Sequence, residues 1–212
     1  MLVEYNGFFN RHILSKNIGK LECFVDREQL EYLGKCTGDW RIKRICARLM
    51  GLQFSGEKKI ITCNSLPQFS SGKALSFSYS NNLIGMLFPV KNCSDKNLGL
   101  DVEEKFPDNE AHAIQEFFYR LDCLPDKKKK YDNHCMTMFW TIHEAFIKMF
   151  QDKWKLISIL PEIFNKSKRD KKNFLHIMGE DICWQSFFFP PYWISMAFNT
   201  KSFPSVQISL IQ

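Results

Sequence analysis

The sequence predicts a mixed α+β fold, because segments with helical periodicity and short runs of strand length both occur along the chain. Residues 136–153 are the clearest helix, since their apolar side chains recur at every third or fourth position. Residues 83–90 are almost entirely apolar and no longer than a strand buried on both faces. With 212 residues and 45% hydrophobic composition, the chain can fill one sizeable core or two small ones.

The first part of the chain is expected to contain one helix followed by short strands. Apolar residues at helical spacing predict an amphipathic helix over residues 24–52. Residues 60–63 are a strand candidate, and residues 66–73 are expected to form a loop because they are rich in Pro, Ser and Gly. Two strands are expected within residues 75–90.

A polar, turn-rich stretch at residues 91–97 separates two halves, which we place at 1–97 and 98–212. The second half is expected to begin with a strand at residues 98–102 and to contain a helix at residues 109–124 as well as the one at 136–153. Its remaining elements are short strand candidates at residues 155–159, 174–178, 182–188 and 192–198, with a very basic loop at residues 165–172. Each half is thus expected to be helix plus a few strands.

The charge balance favours an anionic partner. The formal net charge is +6, which suits a nucleotide, an acidic protein, a membrane surface or nucleic acid without choosing among them. No nucleic-acid-binding signature is present, and the apolar runs are too short to span a membrane, so neither partner is predicted. Eight scattered cysteines and the absence of a signal-peptide pattern predict reduced thiols in a cytoplasmic protein.

Two pairs of charged residues are candidates for chemistry. Asp101 and Glu103 lie two apart in GLDVE, so on a strand both carboxylates face one side and could converge on Mg²⁺. Glu144 and Lys148 lie four apart in WTIHEAFIK and share one face of a helix. Taken separately, the first pair is more often a solvated strand edge and the second more often a surface ion pair.

Together these segments resemble the signature of the 4'-phosphopantetheinyl transferases, in particular the monomeric surfactin and enterobactin type. GLDVE is followed after about forty residues by W-x-x-x-E-A-x-x-K. Residues 42–48 (IKRICAR) resemble that family's AGRxxAR helix, residues 76–80 (SFSYS) its NLSHS-like segment, and Phe117-Phe118 its FF pair. The resemblance covers roughly residues 24–150, and residues 192–198 are similar to the family's last strand.

The resemblance implies an α+β architecture of two similar halves about a pseudo-twofold axis, with the active site in the cleft between them. It implies that Asp101, Glu103 and Glu144 hold Mg²⁺, and that Glu144 is also the general base for the carrier serine. Lys148 would contact the diphosphate of coenzyme A and thereby assist catalysis.

The resemblance also assigns residues that contact the nucleotide. Arg44 and Ser78 would help to seat its phosphates. Two further positions in the expected coenzyme A site depart from the family pattern: His143 stands where a lysine is usual, and Tyr79 where a histidine is usual. Both changes weaken phosphate binding, because tyrosine brings no charge and histidine is charged only near or below neutral pH.

The expected function is Mg²⁺-dependent transfer of 4'-phosphopantetheine from coenzyme A to a serine of an acyl or peptidyl carrier protein, with release of 3',5'-ADP. The enzyme is expected to be monomeric and to serve fatty acid, siderophore, polyketide or nonribosomal peptide synthesis. The alternative is a degenerate, non-catalytic protein of the same fold that binds coenzyme A or a carrier protein.

Overall fold

The computed structural model describes residues 2–4, 21, 23–63, 66–81, 83–89, 97–126, 128–150, 153–167, 171–177, 179–200 and 210–211. The described helices are α1 (Arg27–Lys35), α2 (Gly38–Ser55), α3 (Asp108–Arg120), α4 (Asn133–Phe150) and α5 (Lys153–Lys166). The described strands are β1 (Leu2–Glu4), β2 (Ile60–Cys63), β3 (Leu66–Phe69), β4 (Ser76–Tyr79), β5 (Leu83–Leu87), β6 (Leu98–Glu104), β7 (Lys172–Ile177), β8 (Glu180–Phe189), β9 (Tyr192–Asn199) and β10 (Leu210–Ile211). The chain is therefore a mixture of helices and small sheets, compatible with the α+β class.

The chain divides into two compact units, one of Met1–Lys96 with Gln207–Gln212 and one of Asn97–Val206. The sequence placed residues 98–212 together, whereas the final strand belongs to the first unit because β10 pairs with β1. Residues 91–96, predicted as a turn-rich connection, lie outside the described residues.

The first unit contains a four-stranded sheet in the order β10-β1-β5-β4 and the hairpin β2-β3. The predicted single helix over residues 24–52 is wrong, because the structure has two helices there. Cys36 and Thr37 are extended, and Gly38 has φ +54°, a backbone conformation that favours glycine. The hairpin also corrects the loop expected at residues 66–73, since its first part pairs with β2.

Two strands confirm the prediction for residues 75–90. β4 and β5 pair antiparallel, and every residue of β5 is buried. Their inner face and α2 together enclose a core that includes Ile45, Phe77 and Met86.

The second unit is an antiparallel sheet in the order β6-β9-β8-β7, with helices packed on one face. The predicted strand at 98–102 and the helix at 136–153 are confirmed as β6 and α4. The strand expected at residues 155–159 is wrong, since these residues lie in α5. Leu156, Ile159, Leu160 and Ile163 are all buried at helical spacing, which a window of five residues is too short to reveal.

The helices and the cysteines of the described residues bear on two expectations from the sequence. Among the described residues, no helix is long and apolar enough to cross a membrane. The cysteines at the described positions are free thiols, and Cys93 lies outside the described residues.

Candidate functional site

The site in the second unit is built on an unusually close contact between β6 and α4. A methyl group added at Gly99 would lie 1.8 Å from the carbonyl oxygen of Ala145 and 2.8 Å from its carbonyl carbon. Only a residue without a side chain can occupy that point of the strand. Both Gly99 and Ala145 belong to the segments that the sequence singled out, and together they let the backbone of the strand meet that of the helix.

Asp101 and Lys148 form an ion pair beside this contact. Asp101 follows Gly99 by two residues and so faces α4, where it is only 3% exposed. Lys148 Nζ lies 2.7 Å from Asp101 Oδ1 and also donates a hydrogen bond to the carbonyl oxygen of Leu100 at 2.9 Å. The predicted strand residue and the predicted helix residue therefore meet directly.

Glu103 lies near enough to the other carboxylates for its ionisation to respond to them. Burial, and then the charge of Asp101, raise the pKa of Glu103 from 4.5 to about 8. Glu144 and Glu110 add to this increase, whereas Lys148 opposes it. The carboxyl groups at the end of β6 thus disfavour the ionisation of Glu103, and the ammonium group of Lys148, which contacts Asp101, partly offsets this effect.

The donor set suits a hard divalent cation, because carboxylate oxygens are the protein ligands that Mg²⁺ prefers. A cation would also relieve the repulsion from Asp101, which after burial is the second cause of the raised pKa of Glu103. Within the described part of the chain, however, no three His, Cys, Asp or Glu side chains already stand together as a metal cage. Asp101 is engaged by Lys148 instead. The magnesium site therefore stays a prediction.

His143 is enclosed by aromatic rings. It is 6% exposed, and its ring centroid lies 5.9 Å from that of Phe117, 5.6 Å from Phe118 and 5.5 Å from Trp140. Its Nδ1 is 3.4 Å from Oε1 of Glu144, which is within ion-pair distance, but the two atoms do not form a hydrogen bond. His143 therefore lies next to Glu144 but is packed among aromatic rings and does not reach an open surface.

A chain of buried hydroxyl groups beneath α4 was not predicted. Thr141 Oγ1 lies 2.7 Å from Ser195 Oγ, which lies 2.8 Å from Ser186 Oγ, and Ser195 pairs with Asp101 across the sheet. Isolated Ser and Thr residues carry no sequence signal of this kind, because only the pairing of β8 with β9 and the packing of α4 against β9 bring them together.

In the first unit, Arg44 lies among aromatic rings. The guanidinium carbon is 4.9 Å from the ring centroid of Tyr32, 6.0 Å from that of Trp40 and 5.7 Å from that of Tyr79. One terminal nitrogen of Arg44 donates to Cys36 Sγ at 3.0 Å. Arg44 and Tyr79, both predicted to contact the nucleotide, are therefore neighbours.

Ser78 faces the other way. Successive residues of a strand point to opposite faces, so Ser78 lies on the side of β4 opposite Tyr79 and is 2% exposed. Burial raises the pKa of Tyr79, which keeps its hydroxyl protonated. The structure does not bring Ser78 together with Arg44.

Two cations next to Arg44 have structural partners. Arg48 is buried and donates to Gln29 Oε1 at 2.7 Å from its Nε. Lys43, which the sequence did not single out, donates from Nζ to the carbonyl oxygens of Asn81 and Ser80, at 2.5 and 3.4 Å. Lys43 thereby links α2 to the residues that follow β4. It lies within IKRICAR, but nothing in the spacing of that segment distinguishes it from the other basic residues.

No protein-family model matches this chain, and no curated protein is significantly similar to it in sequence.

Proposed function

We propose that this chain transfers the 4'-phosphopantetheine group of coenzyme A to a serine of an acyl or peptidyl carrier protein, with Mg²⁺ as cofactor. The observation that carries the proposal is the ion pair between Asp101 and Lys148 where β6 meets α4, with Glu103 and Glu144 near enough for their charges to interact. The resemblance of these segments to the 4'-phosphopantetheinyl transferases supports the same reaction.

Glu144 is the proposed general base. About a quarter of its side chain is exposed (28%), so a hydroxyl group from solvent can reach it. As the serine oxygen bonds to the phosphorus that carries phosphopantetheine, Glu144 takes the hydroxyl proton, directly or through a water. The bond between that phosphorus and the bridging oxygen breaks, and its electron pair leaves with 3',5'-ADP.

Charge neutralisation is the other requirement of phosphoryl-type transfer. Asp101, Glu103 and Glu144 would hold Mg²⁺, which when bound supplies positive charge to the phosphate oxygens. Lys148 offers its ammonium group to the diphosphate of coenzyme A. These four residues lie on two elements held together by the contact between Gly99 and Ala145.

The first unit would seat the nucleotide. Arg44 provides a cation and Tyr79 a protonated hydroxyl for the phosphates, whereas a role for Ser78 requires that the ligand reach the opposite face of β4. From the resemblance, we further propose that the two halves have similar folds.

A non-catalytic protein that binds coenzyme A or a carrier is the second candidate, and the burial of His143 favours it. The family pattern has a charged lysine at this position. In this chain the position holds a histidine that is packed among aromatic rings and offers no lysine ammonium group to a phosphate. Such a protein would bind without Mg²⁺ and leave the carrier serine unmodified.

Intact-mass analysis of a panel of apo carrier proteins tests the proposal. Incubation with the chain, coenzyme A and Mg²⁺ should add one phosphopantetheine group to at least one carrier, and EDTA should prevent it. Glu144→Gln should abolish the transfer while unfolding at an unchanged temperature. Glu116→Gln, on the exposed face of α3, is the matched control and should transfer as the wild type does. Binding of coenzyme A without any modified carrier would favour the non-catalytic candidate.

A further inference from the structure

We propose that Lys148 is a displaceable counter-ion of Asp101, so that the divalent cation and coenzyme A bind to this chain cooperatively. Without ligands, Lys148 neutralises Asp101. In the loaded site its ammonium group passes to the diphosphate and Asp101 turns to the cation. This inference rests on the proposed function and adds to it a rule for how the two ligands depend on each other.

The two contacts of Lys148 define its resting position. Its Nζ lies 2.7 Å from Asp101 Oδ1 and donates to the carbonyl oxygen of Leu100 at 2.9 Å. Both acceptors belong to β6, although Lys148 itself belongs to α4. The ammonium group therefore stands against the strand that carries two of the three expected metal ligands.

The burial of the two partners is unequal. The side chain of Asp101 is 5% exposed, and a carboxylate at such depth is costly unless a cation accompanies it. The side chain of Lys148 is 28% exposed and has a flexible four-carbon stem. Asp101 therefore needs a counter-ion in every state, whereas Lys148 can move toward solvent while its stem remains in place.

A divalent cation at Asp101 competes with Lys148 for the same carboxylate. Binding of the cation alone would release the ammonium group without giving it a new anionic partner. Binding of coenzyme A supplies that partner, because its diphosphate is an anion that lysine recognises. Each ligand therefore lowers the cost of binding the other, and linkage requires the effect to be equal in both directions.

Titration of Mn²⁺, followed by its electron paramagnetic resonance signal, measures this coupling. Mn²⁺ stands in for Mg²⁺, and its binding by coenzyme A alone is measured separately and subtracted. In the wild-type chain, coenzyme A should tighten Mn²⁺ binding by a factor within the usual range for coupled sites, about 5–150. Lys148→Met should bind Mn²⁺ without coenzyme A roughly tenfold more tightly than the wild type, and most of the coupling should be lost.

Lys105→Met is the matched control, because Lys105 follows β6, is exposed, and has the same charge. It should leave both the Mn²⁺ affinity and the coupling as in the wild type. If Lys148→Met binds Mn²⁺ no more tightly than the wild type, the inference is wrong. If Lys148→Met fails to fold, as judged by circular dichroism, the wild-type titration decides alone, and a coupling factor near one overturns the inference.

Asp101→Asn distinguishes failure of this inference from failure of the proposed function. If Asp101→Asn binds Mn²⁺ in the presence of coenzyme A as tightly as the wild type does, and the wild type modifies no carrier, the metal site and the proposed function fail together. If carriers are modified but Lys148→Met does not tighten Mn²⁺ binding, only the exchange of Lys148 between Asp101 and the diphosphate is wrong.

Discussion

Gly99 approaches Ala145 so closely that a methyl group at position 99 would stand 1.8 Å from the Ala145 carbonyl oxygen. Asp101 and Glu103 follow on the same face of the strand, and Glu144 and Lys148 flank the same point of the helix. The position of all four charged groups therefore depends on a contact between two backbones.

Replacement of Gly99 by Ala should destabilise the second unit. The added carbon meets backbone atoms that cannot rotate away, so we expect a loss at or above the usual cost of overpacking, about 1–3 kcal/mol. Denaturant unfolding followed by circular dichroism measures it. Ala145→Gly should not rescue the variant, because the clash is with the carbonyl group and not with the methyl group of Ala145.

Gly34→Ala is the control for the loss of a glycine. Gly34 lies in α1 with nothing within 4 Å of an added carbon, so alanine should stabilise the chain by about 0.4–1 kcal/mol. Equal stability of Gly99→Ala and the wild type would contradict the contact between β6 and α4.

The pH dependence of stability should reveal Glu103. Its pKa is about 8 in the folded chain and 4.5 as the ordinary value, so the unfolded chain releases this proton at lower pH than the folded chain. The contribution of Glu103 to the free energy of unfolding is therefore fully present below about pH 4.5. It is lost as the pH rises toward about 8. Glu103→Gln removes this loss.

Thermal unfolding in EDTA across that pH range measures the difference between Glu103→Gln and the wild type. We expect the variant to gain stability relative to the wild type as the pH rises. A difference that does not change with pH would show that Glu103 ionises as it does in the unfolded chain.

Substitutions of His143 separate packing from phosphate binding. His143→Phe keeps a ring among Phe117, Phe118 and Trp140, so we expect stability near that of the wild type and little change in KM for coenzyme A. His143→Ala leaves a cavity and should cost about 2–5 kcal/mol, the range of large-to-small substitutions in cores. A large increase in KM for His143→Phe would instead support the predicted contact with the cofactor.

Arg44 and Arg48 should respond differently to replacement by methionine. Arg48 is buried and donates to Gln29, so Arg48→Met should lower stability by about 1–3 kcal/mol by leaving a buried acceptor without its donor. Arg44→Met should weaken binding of coenzyme A with a smaller loss of stability. Isothermal titration and thermal unfolding of both variants measure the contrast, and a reversed pattern would contradict the proposed role of Arg44.

The sequence identified the elements that carry the site because their signals are strong. The apolar stripe of α4 extends over several turns, and the alternation in GLDVE already placed Asp101 and Glu103 on one face of β6. Both signals are local, so no other part of the chain was needed to interpret them.

What the sequence could not predict depends on tertiary contacts and on backbone geometry. The ion pair between Asp101 and Lys148 joins residues far apart in the chain, and no spacing rule predicts it. The break between α1 and α2 depends on the extended backbone of Cys36 and Thr37 and the positive φ of Gly38. Apolar residues at helical spacing continue on both sides of it, so the sequence pattern does not reveal the break. The surroundings of His143 arise only when α3 packs beside α4.

A crystal of the wild-type chain grown with Mn²⁺ and coenzyme A tests the central assignment most directly. Anomalous scattering of Mn²⁺ should give a peak at ligand distance, about 2.0–2.3 Å, from carboxylate oxygens of Asp101, Glu103 and Glu144. The phosphate groups should lie next to it, within reach of Lys148. A Mn²⁺ peak elsewhere, with these three carboxylates directed apart, would contradict the assignment.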